Sequence, residues 1–306
     1  MNATTNYTQY FLQLVGLSNS KKKESVTMKK LLFFIFVTLT LGGCIKEHDI
    51  DDKYQQQLVV EGRIEEGNIP IVALSLNINN QKEYSSDILS DMIVRWAKVT
   101  VEDDQGNKEI LTGRTNKDYP TKYIYTGYDL IGEAGRSYKL TVEYSDQIWE
   151  STTTIPHSAS LEDITIKHHK DTLYTISAVI PPISTPCSID CSLNGSRYFA
   201  PTILGVYDAS TEYRHITINC PMDNLNRYDY ITYYSSSDVV KLRFNTLDDF
   251  SYNYWSEWEN NVINSVNPIF SSTSNMPTNI SNNGIGIWAG YGATYYTIGK
   301  ISNAEP

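Results

Sequence analysis

Between Ser137 and Tyr144 the side chains change character at every step: Tyr138, Leu140, Val142 and Tyr144 fall on one side, Lys139, Thr141 and Glu143 on the other. A period of two means a strand with one buried face and one wetted face. Leu58 to Gly62, Ile71 to Leu76, Val94 to Glu102, Lys122 to Tyr125 and Gln147 to Ile155 share the same richness in β-branched and aromatic residues. Asp103-Asp104-Gln105-Gly106-Asn107 supplies hairpin-turn chemistry between two such runs. Its acids lack the alternate spacing of a calcium loop. Pro156, followed by small and polar residues, closes the series. The expected fold is therefore mainly β, beginning with a β-sandwich of immunoglobulin or transthyretin type over residues 58–156.

Residues 157–306 read as a second β-rich domain. Its strands are expected at Ile164 to His168, Leu173 to Ile180, Thr202 to Tyr207, His215 to Ile218, Tyr230 to Tyr234 and Val239 to Phe244. An amphipathic helix is expected over about 247–266, where Leu247, Phe250, Tyr254, Trp258, Val262 and Val266 make an apolar stripe. Thr246 with Asp249 reads as a variant capping box, and Asn267-Pro268 as the stop. The glycine-rich run Gly284 to Gly292 leads into a closing strand, Ala293 to Ile298. There is no repeat and no low-complexity tract.

The start of the chain carries an address. Lys29 and Lys30 precede the apolar run Leu31 to Leu41, followed by Gly42, Gly43 and Cys44. That order is a secretory signal, and the apolar run is too short to span a bilayer core of about 30 Å. Leu41-Gly42-Gly43-Cys44 resembles the lipobox of bacterial lipoproteins, which implies lipidation of Cys44 and removal of a signal peptide at 28–43. Residues 1–27 read as a start-site overcall before Met28. Residues 44–57, with Lys46, Glu47, Asp49, Asp51 and Asp52, read as an acidic, solvated tether. A lysine and acids after the lipidated cysteine resemble the export signal that sends Bacteroidota lipoproteins to the cell surface. Removing residues 1–43 takes five of the 25 lysines and arginines and one of the 35 acids, so the formal charge of −10 becomes −14. That balance argues against nucleic acid and against docking on anionic lipid through side chains.

No catalytic pattern stands out. The adjacent His168 and His169 point to opposite faces of a strand, and no paired spacing suggests zinc. There is no Gly-x-Ser-x-Gly and no phosphate-binding glycine loop. The acids read as solvated groups on an acidic surface. No catalytic residue, metal or cofactor is expected. Cys187, Cys191 and Cys220 follow the lipobox in a chain read as exported, an odd number that allows one disulfide and leaves one thiol over. Cys187 to Cys191 follows Pro181, Pro182 and Pro186 and reads as a loop; the bridge would lie within it or run to Cys220. Among 23 tyrosines, Tyr228, Tyr230, Tyr233 and Tyr234 are candidate binding aromatics, against the plainer reading that tyrosine suits half-buried strands.

Taken in order, Leu58-Val59-Val60-Glu61-Gly62, Ala97 to Val101, Gly135 to Val142, Thr154-Ile155-Pro156, Asn267 to Phe270, Asn279-Ile280, Gly284 to Trp288 and Gly290-Tyr291-Gly292 resemble a Bacteroidota lipoprotein family of unknown function, DUF4249. The resemblance spans nearly the whole chain after Cys44. It implies no catalytic residues. What it implies is a context, since members are often encoded beside TonB-dependent outer-membrane transporters. The expected function is thus a surface-facing outer-membrane lipoprotein, held by its N-terminal lipid, that binds for or assists such a transporter. A surface hydrolase and an adhesin-like structural module are the alternatives.

Overall fold

The computed structural model describes residues 56–77, 91–221, 233–265 and 276–301. Cys44, the signal and nearly all of the tether lie outside them, as do Tyr228 and Tyr230. Among the described residues the fold is mainly β, with three sheets and a helix, α1 (Asp249–Ser265).

The first strands follow the expected alternation. β1 (Leu58–Glu65) buries Leu58, Val60 and Ile64 on one face, and β7 (Ser137–Tyr144) buries Tyr138, Leu140 and Val142. β3 (Lys98–Asp103) turns through Asp103–Asn107, where the Asp103 carboxylate accepts the N–H groups of Gln105 and Asn107, both at 2.9 Å. The strand leaving this turn is β4 (Lys108–Ile110). β3, β4, β7 and β8 (Gln147–Thr154) make a four-stranded sheet in the order β4-β3-β7-β8.

A second four-stranded sheet has β10 (Leu173–Ile180) at its centre. β9 (Glu162–Lys170) pairs with it, as do β13 (Arg214–Ile218) and β14 (Tyr234–Ser235).

Both pack on an eight-stranded sheet whose order, using the remaining strands, is β12-β11-β15-β16-β1-β2-β6-β5. These are β2 (Ile71–Leu76), β5 (Thr112–Thr115), β6 (Tyr123–Thr126), β11 (Cys187–Leu193), β12 (Ala200–Tyr207), β15 (Val239–Thr246) and β16 (Ile285–Lys300). Two differences from expectation follow. Residues 58–156 and 157–306 are not two separate domains: they contribute four strands each to this one sheet, and residues 55–306 form one compact unit. Cys187 to Leu193 is an interior strand rather than a loop, because both its neighbours, β12 and β15, satisfy its backbone.

β16 is the seam. Its first half pairs in parallel with β1, from Val59↔Ile285 to Glu65↔Tyr291, and its second half pairs antiparallel with β15. Even-numbered residues face the two smaller sheets: Trp288 fills the first core, and Tyr296 and Ile298 pack on the second. The Trp288 indole N–H donates to the Tyr138 carbonyl at 2.9 Å. Close approach explains two glycines here. A Cβ on Gly62 would sit 2.8 Å from the Trp288 ring, and one on Gly286, at φ +108°, would meet the Val60 carbonyl oxygen.

Helix α1 covers the opposite face, where Leu247, Ile287, Ala289 and Tyr291 meet Phe250, Tyr252, Tyr254 and Trp255. Its cap is not the expected Thr246. The Asp248 carboxylate accepts the Ser251 N–H at 2.7 Å, whereas the Thr246 hydroxyl is engaged by the His157 and Gly292 carbonyls.

Candidate functional site

On the face of the eight-stranded sheet beneath α1, alternation places Glu61, Arg63 and Glu65 of β1 together, opposite Val60, Gly62 and Ile64. Strand pairing brings Arg243 of β15 beside Asp190 of β11. The result is a row of charges crossing four strands. Arg63 Nε lies 2.7 Å from Glu65 Oε1, and its Nη2 donates to the Tyr119 hydroxyl at 2.7 Å. Arg243 donates through Nη1 to Glu65 and through Nη2 and Nε to Asp190. Tyr295 donates to the other Glu65 oxygen, and Asn245 Nδ2 donates to Asp190 at 2.8 Å.

Aromatic rings wall the cluster. Phe199 and Tyr291 lie beside the Arg243 guanidinium, at 5.4 and 5.9 Å from ring centre to Cζ. The Trp255 indole of α1 donates to the Tyr291 hydroxyl at 2.7 Å. Between them is a cavity of about 20 Å³, lined by Glu61, Arg63, Asp190, Tyr198, Arg243 and Trp255 among others. That is room for about one water molecule.

Burial and charge act differently on the two β1 carboxylates. Burial raises Glu65, but Arg243 and Arg63 more than offset it and leave its pKa below the ordinary value. At Glu61 burial dominates, and the same arginines and Tyr198 do not cancel it, so its pKa is raised. Arg243 is held firmly cationic: burial opposes its charge, and Glu65 and Asp190 overcome that. Beside Glu61, two arginines, Arg63 and Arg243, face two carboxylates, Glu65 and Asp190. Chemically the cluster can hold a water and place one protonatable carboxyl beside it.

The expectation of solvated acids is therefore corrected at Glu65 and Asp190, which are buried. The sequence signal was present in Glu61-x-Arg63-x-Glu65, a charged face at strand spacing. Alternation assigns a side but not what covers it.

The other sequence candidates are not brought together here. Tyr234 is wholly buried and donates to the Asn219 carbonyl at 3.0 Å, so it belongs to the second core. Tyr233 stacks on His169 with ring centres 4.8 Å apart. Cys187, Cys191 and Cys220 are buried, and the structure carries them as thiols. Among the described residues no group of His, Cys, Asp and Glu is arranged to hold a metal, and no helix is long and apolar enough to cross a membrane.

A family profile, described as a domain of unknown function (DUF4249), matches residues 45–297. The chain belongs to the DUF4249 family. The DUF4249 match takes in the charge cluster, the first core and all of the second core except Ile298 and Ile301. No curated protein matches the chain.

Proposed function

We propose that this DUF4249 protein is a lipid-anchored outer-membrane protein, facing the cell exterior, that acts as a binding or accessory module for a TonB-dependent transporter. One observation carries the anchoring: the family match begins at residue 45, directly after the lipobox cysteine. The lipid then joins the chain where the family's sequence starts, through the acidic stretch leading to Gln56. The transporter partnership rests on the context that the family resemblance implies. The fold fits a module that works through its surface, because the charged groups of the cluster are engaged with one another.

At the charge cluster a hydrolase reading would use Glu61, a raised carboxyl facing a cavity. A space of about 20 Å³ admits water and not a polymer, which favours the binding reading.

Cys44→Ala is expected to leave the protein soluble or unprocessed, as read by membrane fractionation and acyl labelling. Unchanged membrane association with unchanged labelling refutes the anchor. Co-purification of a transporter in mild detergent, and loss of intact-cell protease sensitivity on removing the export signal, are the expected results for the partner and the exterior face. Clean separation from any transporter refutes the accessory role.

A further inference from the structure

The three buried cysteines are not equivalent. Cys187 and Cys191 lie on the same side of one strand, four residues apart. An extended strand separates such residues by about 13 Å, whereas a disulfide needs Cα atoms within about 7 Å. A bridge inside β11 is therefore closed to them. Cys187 pairs in register with Tyr207 and lies in the field of Arg214 and Asp208, at the beginning of β13. Cys191 lies at the other end. There the Tyr234 hydroxyl sits 3.9 Å from Cys191 Sγ and 3.0 Å from the carbonyl of Asn219, the residue before Cys220. Asn219 Nδ2 also donates to the Ile203 carbonyl at 2.7 Å, which pins this segment to β12. Cys191 and Cys220 belong to the same core, and each is buried. One tyrosine hydroxyl thus reaches both the Cys191 sulfur and the backbone next to Cys220.

We propose that Cys191 and Cys220 are joined by a disulfide in the exported protein, with Cys187 left as a thiol. The bond ties β11 of the eight-stranded sheet to the end of β13 in the smaller sheet, across the second core. It rests on the export part of the proposed function. Each thiol gives up one proton and one electron as the S–S bond forms. The two electrons reduce the disulfide of an exported thiol–disulfide oxidoreductase to a dithiol. The attacking species is a thiolate, and burial disfavours it at Cys191. Oxidation therefore belongs to folding, before the core closes.

The test uses the full chain isolated from membranes, denatured and alkylated without prior reduction, then mapped by mass spectrometry. The expected result is a linked Cys191–Cys220 peptide pair, about 2 Da lighter than the two thiol peptides together, with Cys187 alkylated. If all three cysteines are alkylated instead, the same chain is refolded in a glutathione redox buffer and mapped again. A Cys191–Cys220 link appearing there upholds the pairing and counts against export. No link there, or a link that includes Cys187, overturns the proposal.

Discussion

The eight-stranded sheet is covered on both faces, but by opposite chemistry. Toward the smaller sheets it presents Val60, Ile64, Trp288, Leu242 and Phe244. Toward α1 it presents Glu61, Arg63, Glu65, Asp190 and Arg243 beside aromatic rings. Apolar burial stabilises in rough proportion to area, whatever the exact neighbours. Burying charges does so only when each has its partner, since desolvation offsets most of the attraction. The charged face is thus a device for specificity more than for strength. Arg243 binds Asp190 and Glu65 at once, so it fixes β11, β15 and β1 in register across β16.

The largest expected effects set the two faces against each other. Trp288→Ala is expected to cost about 3–5 kcal/mol, through the cavity left in the first core. Arg243→Ala is expected to cost about 3–5 kcal/mol, because it removes the cation that two buried carboxylates share. Replacing Arg243, Glu65 and Asp190 together with apolar residues of similar volume should recover most of that loss in urea melts. If the triple variant is as unstable as Arg243→Ala alone, the two faces do not differ in the way described.

A smaller effect concerns pH. Glu65 has a folded pKa below its unfolded one, so its contribution is present above the ordinary carboxylate pKa and is lost as pH falls through the lowered value. Glu61 is raised, so the sign reverses: its contribution is present below the ordinary pKa and is lost as pH rises through the folded value. Glu61→Gln should remove that second loss and make the variant gain on the wild type as pH rises. Denaturation midpoints across mildly acidic to neutral pH read the difference, and parallel curves would contradict it.

The smallest effect is at the helix. Asp248→Ala is expected to cost about 1 kcal/mol by removing the N-cap. Because α1 lies only on the charged side, hydrogen exchange should quicken at Ser251 and Tyr252 and stay unchanged in β7. Equal loosening on both sides would show that the faces are coupled more tightly than their contacts suggest.

The sequence made one kind of feature legible. Alternation at Tyr138, Leu140 and Val142 gave β7 and its buried side, and the stripe from Leu247 to Val262 located α1 to within a few residues. Local chemistry also identified the Asp103–Asn107 turn. What failed depended on distant partners. Thr246 loses its capping role to carbonyls of His157 and Gly292, neither near it in sequence. β11 hides behind prolines, and only its position between β12 and β15 makes it a strand. The charged side of β1 reads as a wetted face because nothing local announces α1 above it. The two-domain division failed for the same reason, since β1 meets β16 from the far end of the chain.

That parallel pairing has a temporal consequence. β1 is the first described strand to leave the ribosome, and its neighbour β16 is the last. Until residues 285–300 have been made, β1 has an unfilled edge and Gly62 has no indole to receive. Contacts so distant in sequence form slowly, since a long loop must close before they yield anything. The eight-stranded sheet therefore cannot be completed until the last described strand has been made.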